Sequence, residues 1–119
     1  MDGLKLFDAE YRLMSIIWEL EPINSTELTK VSFEKLGWKK PTTYTVIRKL
    51  TQRGIIKNEN AIVSAIAKRE DIQKYESEAL LEKSFDSSLP AFLATFLQGK
   101  HLSPKEADEI RKMIEEATK

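Results

Sequence analysis

One stretch of the sequence, residues 38–56, restricts the possible folds more than any other. It reads W-K-K-P-T-T-Y-T-V-I-R-K-L-T-Q-R-G-I-I. Within it, Thr43, Val46, Ile47 and Leu50 recur at the i, i+3, i+4, i+7 spacing of one helical face. This spacing predicts an amphipathic helix whose apolar face packs against a core and whose opposite face is exposed.

The exposed face of this predicted helix combines hydroxyl groups, an aromatic ring and cations. Between Lys35 and Asn58 the sequence contains seven basic residues and no Asp or Glu, although the whole chain is neutral, with 19 basic and 19 acidic residues. A local run of positive charge without acidic residues is typical of a surface that contacts nucleic-acid phosphates. The predicted DNA-contacting residues are Lys39, Lys40, Thr42, Tyr44, Thr45, Arg48, Lys49, Arg53 and Lys57.

These residues are expected to divide into two roles. Arg48, Arg53 and Lys57 are predicted to contact phosphates, which positions a protein on DNA without reading its sequence. The residues nearest the helix N-terminus are predicted to contact base edges or the thymine methyl group. They are Thr42, Tyr44 and Thr45. The alternative is an ordinary solvated face that carries several lysines.

The elements around this stretch predict a small three-helix domain. A first helix is expected from Asp8, as N-cap, to Leu20, and a second begins near Asn24 and ends at Gly37. Pro41 is expected at the first position of the third helix, where a missing amide costs little.

After Gly54, residues 55–60 and 61–66 read as two short strands of a hairpin. Three helices followed by a hairpin, with a basic third helix, predict a winged helix-turn-helix domain over residues 1–69. The predicted fold class is therefore mainly α with a small β-hairpin.

The remaining residues, 70–119, show helical periodicity in three segments, and Ser103 begins the last as a capping residue. Short amphipathic helices bury their apolar faces poorly by themselves, so we expect a helical dimerisation region and a homodimer. A small-ligand pocket is the alternative use of this apolar stripe. The predicted dimerisation residues are Leu80, Leu81, Phe85, Leu89, Phe92, Leu93, Phe96, Leu97, Ile110, Met113 and Ile114.

Composition excludes several classes of protein. The chain has no cysteine, which removes disulfides, thiol catalysis and thiolate metal sites. Its first five residues lack the pattern of a secretory signal, and no apolar run approaches the roughly 18 residues that a membrane span needs. These features favour a cytoplasmic protein.

Three segments of the sequence together resemble a known family. L-F-D-A-E-Y-R-L-M-S-I-I-W-E-L, I-N-S-T-E-L and T-T-Y-T-V-I-R-K-L-T-Q-R-G-I-I are similar to the penicillinase-repressor family of winged-helix regulators, of the BlaI, MecI and CopY types. The C-terminal segments K-Y-E-S-E-A-L-L-E-K-S-F and H-L-S-P-K-E-A-D-E-I-R-K-M-I-E-E also resemble its dimerisation helices. The resemblance implies a homodimeric transcriptional repressor that binds a palindromic operator and often regulates resistance genes.

The resemblance also carries over to particular positions. Trp18 matches a structural tryptophan, and the positions where such repressors meet DNA are occupied by Thr42, Tyr44, Thr45 and Lys49. The cysteine-rich motif of the copper-responsive branch is absent, so copper sensing is not implied. In the beta-lactam branch a metalloprotease cuts an Asn-Phe bond. Here the matching pair is Thr95–Phe96, so the resemblance does not imply a regulatory protease that cuts at this bond.

No residue set predicts catalysis, a metal site or a cofactor. The chain has neither a glycine-rich phosphate loop nor a convincing Ser-His-acid arrangement, and its single histidine, His101, lies beside a lysine. The alternatives to a repressor are a protein-interaction module with a winged-helix fold but no specific DNA binding, and a ligand-sensing winged-helix regulator of another family.

Overall fold

The structure, a computed structural model, describes residues 3–119, so the first two residues of the predicted domain 1–69 lie outside the described residues. The first elements along the chain are α1 (Asp8–Leu20), β1 (Ile23–Asn24), α2 (Ser25–Leu36), α3 (Lys40–Gln52), β2 (Ile56–Glu59) and β3 (Ile62–Ala65). They are followed by α4 (Arg69–Phe85), α5 (Leu89–Leu97) and α6 (Pro104–Thr118). The predicted fold class is confirmed, since the described chain is mostly helical with one small antiparallel sheet in a winged helix-turn-helix arrangement.

The sheet has three strands in the order β1-β3-β2. β2 and β3 form the predicted hairpin, in which Ile56 is opposite Ala65 and Glu59 is opposite Ile62. Its two-residue turn places Asn60 at φ 52° and Ala61 at φ 66°. Positive φ at both central residues is the geometry whose twist matches that of antiparallel strands. The hairpin is therefore a short wing with a tight tip.

β1 was not predicted from the sequence. It has two residues, and Ile23 pairs with Val63 of β3. The first amide of α2, from Ser25, also donates to the carbonyl of Ala61 at the wing tip, at 2.8 Å. These two contacts fasten the start of α2 to the wing.

Helix ends agree with most of the sequence predictions. The Asn24 side chain accepts from the Thr26 amide at 2.8 Å, and Gly37 ends α2 with φ 70°. The prediction for α1 was wrong in one detail, because Phe7 occupies the cap position and Asp8 is the first helical residue. Pro41 similarly lies at the second position of α3, one residue later than predicted.

The chain divides into two compact units, Met1–Ala79 and Leu80–Lys119. In the described part of the first unit, one core joins α1, α2, α3, the sheet and the first half of α4. Its apolar residues include Leu13, Ile17, Leu28, Leu50, Val63 and Ile72, all fully buried. The predicted boundary between residues 69 and 70 falls after the first residue of α4. The compact unit extends ten residues further because Ile72 of α4 is part of the first core.

Trp18, predicted to be structural, connects this core to the segment before α4. Its indole Nε1 donates to the carbonyl of Ala67 at 3.0 Å, and its ring meets the Tyr11 ring edge-on with centroids 5.8 Å apart. The guanidinium of Arg69 lies over the indole, 5.1 Å from the ring centroid. These contacts hold the beginning of α4 against α1.

Candidate nucleic-acid interface

The exposed surface of α3 is the candidate interface. Its inward residues Thr43, Val46, Ile47 and Leu50 are buried, as the spacing predicted. The other side of the helix is exposed and bears the predicted contact residues Thr42, Thr45, Arg48 and Lys49, with Lys39 and Lys40 at its N-terminal end. The fold therefore presents hydroxyl groups and cations together on one outward helix face.

The cations of this face differ in how far they are already neutralised. Among residues 3–119, neither Arg48 nor Lys49 takes part in an ion pair. Lys57 in β2 lies 3.4 Å from the carboxylate of Glu59, but both side chains are more than half exposed. An exposed pair of this kind is weak and is screened by salt. The charges of Arg48 and Lys49 are thus available to an anion.

Tyr44 is placed differently from the prediction, because it is half-buried and packs against the core instead of projecting outward. Hydrogen bonding from Ser25, then from Thr26, lowers the pKa of Tyr44 from its ordinary value of 10.0; burial acts in the opposite direction, and nearby Lys40 also lowers it. The Lys40 Nζ lies 5.9 Å from the centre of the Tyr44 ring. Tyr44 therefore joins the start of α3 to the start of α2.

Thr45 is exposed, and its hydroxyl donates to the carbonyl of Pro41 one turn earlier, at 2.9 Å. In this conformation the hydroxyl offers only acceptor lone pairs to a ligand, and the methyl group remains for apolar contact. Both are suited to the major-groove edge of a base pair, since cytosine and adenine present donors there and thymine presents a methyl group.

A cavity of about 350 Å³ lies between α3 and β2. Its lining residues are Tyr44, Ile47, Arg48, Thr51, Gln52 and Asn58. Thr51, Gln52 and Asn58 were not among the predicted contact residues. Nothing in the sequence relates Asn58 to α3, because they meet only through the packing of the wing on that helix. This cavity extends the candidate interface from α3 to the wing.

Arg53 was predicted to contact phosphate, but the structure gives its guanidinium other partners. Nη1 lies 2.6 Å from the carboxylate of Glu10, and Nη2 donates to the carbonyls of Gly3 and Lys5. Its side chain is only 27% exposed. Arg53 therefore lies outside the exposed face that α3 presents.

The predicted dimerisation residues lie on the end of α4 and on α5 and α6. Those that are half-buried are Leu81, Phe85, Phe92, Leu93, Leu97 and Ile110. Those that are exposed are Leu80, Leu89, Phe96, Met113 and Ile114. None is fully buried within the second unit. Phe92 contacts Phe85 and Phe96, with centroids 5.4 and 5.6 Å apart, so the aromatic residues form one continuous cluster.

Residues 3–119 contain neither a metal-binding cluster nor a membrane-spanning helix. These residues contain no group of three or more His, Asp or Glu side chains placed to hold a metal ion. None of their helices combines the length and the apolar character that crossing a membrane requires.

Comparison with known proteins relates the whole chain to one family. The family model described as penicillinase repressor matches residues 6–116. The chain is 23% identical over 116 residues to the penicillinase repressor of Bacillus licheniformis, covering 94% of this chain and 91% of that protein. It is also 23% identical over 114 residues to the methicillin resistance regulatory protein MecI of Staphylococcus epidermidis, covering 92% of this chain and 93% of that protein.

Proposed function

Because the chain belongs to the penicillinase repressor family, a family of transcriptional repressors, we propose that it is a sequence-specific DNA-binding repressor that acts as a homodimer on an inverted-repeat operator. The observation that carries the proposal is the exposed face of α3, where Thr42 and Thr45 lie beside Arg48 and Lys49 in a run without acidic residues.

In the proposed complex, α3 lies in the major groove of DNA. A helix fits this groove, and its N-terminal residues reach the base edges in helix-turn-helix proteins. Thr42 and Thr45 then read bases, with Tyr44 beside them in contact with α2. Arg48, Lys49, Lys39 and Lys40 neutralise phosphates, and Lys57 approaches the backbone from the wing. Phosphate contacts fix the orientation, and base contacts provide the specificity.

The second unit supplies the pairing of two such reading helices. Its helices carry exposed large apolar side chains, among them Phe96, Met113 and Ile114. A second copy of the chain covers these surfaces in a symmetric contact. Two copies related by a two-fold axis require an inverted repeat whose half-sites are about one helical turn apart, or a multiple of it. Occupation of promoter DNA then represses transcription.

The proposal is tested by incubating the full chain with a pool of random duplex DNA at moderate salt and sequencing what is retained. We expect enrichment of an inverted repeat. Retention without any enriched motif would reject the proposed function and favour the alternative, a winged-helix protein-interaction module.

Two substitutions then distinguish contacts that read the DNA sequence from contacts that only neutralise phosphates. Thr45→Ala is expected to relax sequence preference in its half-site, at about 1–3 kcal/mol for a good base contact. Lys49→Ala is expected to weaken binding to all sequences and to reduce the salt dependence by about one phosphate contact. Lys105→Ala, which removes the same charge from exposed α6, is the matched control and should leave both properties unchanged.

A further inference from the structure

The contacts of Arg53 join three parts of the first unit that are distant in sequence. Arg53 is the capping residue at the C-terminal end of α3. Its guanidinium contacts the carboxylate of Glu10 in the first turn of α1 and the carbonyls of Gly3 and Lys5 in the segment before α1. One side chain therefore fixes the end of the candidate reading helix to α1 and to the N-terminal segment.

Glu10 is the buried member of this cluster. Its side chain is only 6% exposed, and its Oε1 accepts both from Arg53 and from the amide of Phe7, at 2.6 and 2.9 Å. A carboxylate removed from water in this way needs a charged partner, because an unpaired buried charge is strongly unfavourable. Arg53 thus balances the charge of the buried Glu10.

The N-terminal segment has packing contacts of its own beside this cluster. Leu6 is buried in the core of the first unit, and Leu4 lies against it. Leu4 also lines a cavity together with Gly54, the residue that follows Arg53. The polar contacts of Arg53 and the apolar contacts of Leu4 and Leu6 hold the same segment at the end of α3.

We propose that Arg53 is a positioning residue, which fixes the orientation of α3 through Glu10 and does not bind a phosphate. The proposal rests on the proposed function in so far as α3 is the reading helix. The proposal gives Arg53 a different role from Arg48 and Lys49. The charges of those two residues have no ion-pair partner among residues 3–119. The charge of Arg53 is balanced by Glu10, and its planar fork is occupied by several acceptors at once.

The substitution Glu10→Gln distinguishes the two roles because they predict opposite effects. If Arg53 bound phosphate, removing the opposing carboxylate would strengthen DNA binding and steepen its salt dependence. If Arg53 positions α3, the same substitution loosens the helix, and we expect affinity for the selected duplex to fall by about five- to tenfold, an effect of the size expected for a coupled pair. The salt dependence should stay unchanged.

A thermal-unfolding cycle tests the pair without DNA. We expect Glu10→Gln and Arg53→Met each to lower the unfolding midpoint by roughly 5–10 °C, and the double variant to lower it by clearly less than the sum. Arg53→Lys keeps the charge but loses the fork, so it should rescue only part of the midpoint. This milder variant serves for the DNA measurement if Arg53→Met does not fold.

The outcomes are distinguishable. Additive midpoint shifts would overturn the proposed link between Glu10 and Arg53. Stronger DNA binding by Glu10→Gln, or a smaller salt dependence for the charge-removing Arg53→Met, would overturn the positioning role and return Arg53 to the phosphate contacts. Unchanged affinity of Arg53→Lys, which keeps the charge but loses the fork, would do the same. If the wild-type chain selects no DNA motif, the proposed function is rejected, and the role of Arg53 in DNA reading is rejected with it. Non-additive midpoint shifts would not change that result, because they report only the link between Glu10 and Arg53.

Discussion

The two compact units of this chain differ in where their apolar side chains lie. In the described part of the first unit, large residues such as Leu13, Leu28 and Ile55 are almost completely buried. In the second unit, Leu89 and Phe96 are 52% exposed and Met113 is 66% exposed, and no residue of α5 or α6 is buried. The sequence is amphipathic in both regions, so the difference lies in what covers the apolar face.

This difference indicates how the two units reach stability. The first buries most of its large apolar side chains within one chain, although Phe7 and Phe33 are exposed, and its polar α3 surface stays available for the proposed DNA contacts. The second keeps a continuous aromatic cluster of Phe85, Phe92 and Phe96 with exposed aliphatic neighbours. Burial of apolar surface is the main stabilising contribution for any such helix pair. A second copy of the chain provides that burial in the function proposed here.

The largest effect is expected when a charge is placed on the apolar face of the second unit. Met113→Glu would bury a carboxylate without a partner in the proposed dimer, at a cost of several kcal/mol. We expect the dimer to dissociate at micromolar concentration, which analytical ultracentrifugation would measure. Arg111→Glu is the matched control because it places the same side chain at an exposed position of α6, two residues away on another side of the helix. An equal effect of both variants would contradict the assignment of this face.

The next effect distinguishes the cores of the two units. Leu28→Ala removes a fully buried side chain from the first core and should lower the free energy of unfolding by about 2–5 kcal/mol. Leu89→Ala should produce a loss that depends on protein concentration, because in the proposed dimer its side chain is covered only on association. Urea unfolding at two protein concentrations measures both. A concentration-independent loss for Leu89→Ala would show that the second unit does not need a partner.

A smaller effect, of opposite sign, is expected inside the first core. The hydroxyl of Thr43 is buried and has no hydrogen-bond partner among residues 3–119. Thr43→Val keeps the shape and removes the unsatisfied group, so it should stabilise the protein by about 1 kcal/mol. Thr42→Val, at the exposed neighbouring position, should change stability by less than about 0.5 kcal/mol. Thermal unfolding compares the two, and destabilisation by Thr43→Val would mean that the hydroxyl is satisfied in solution.

The smallest effect concerns the pH dependence of Tyr44. Its pKa is lowered in the folded protein, chiefly by hydrogen bonding from Ser25, so folding favours the phenolate. The resulting stabilisation is fully present above the ordinary pKa of 10.0 and is lost as the pH falls through the lowered pKa, so it is absent at neutral pH. Ultraviolet titration against Tyr44→Phe should locate the lowered pKa, and Ser25→Ala should move it back toward the ordinary value. An unchanged pKa in Ser25→Ala would contradict this cause.

Local patterns predicted much of the fold. The periodicity of α3, the cap at Asn24 and the glycine end of α2 depend on neighbouring residues, and each was found where the sequence indicated. The capping role of Ser103 was also correct, since its hydroxyl accepts from the Glu106 amide at 3.0 Å. The family was recognised from the same local segments and is confirmed over residues 6–116.

The features that were missed depend on contacts between distant residues. β1 has only two residues, too few to show a periodicity, and it exists because Ile23 meets Val63. Tyr44 packs against a core that several elements build, and Arg53 pairs with Glu10, 43 residues earlier in the chain. An arginine in a basic run looks the same in sequence whether its partner is a phosphate or a buried carboxylate. Only the fold distinguishes the two.

The most direct test of the division between the two units is the stoichiometry of the complex on DNA. Native mass spectrometry would weigh the intact chain bound to a duplex carrying the selected inverted repeat, and to a matched duplex in which one half-site is scrambled. We expect two chains on the intact repeat and a large loss of affinity on the scrambled duplex. One chain per duplex, bound equally well to both, would contradict the proposal that the second unit pairs two reading helices.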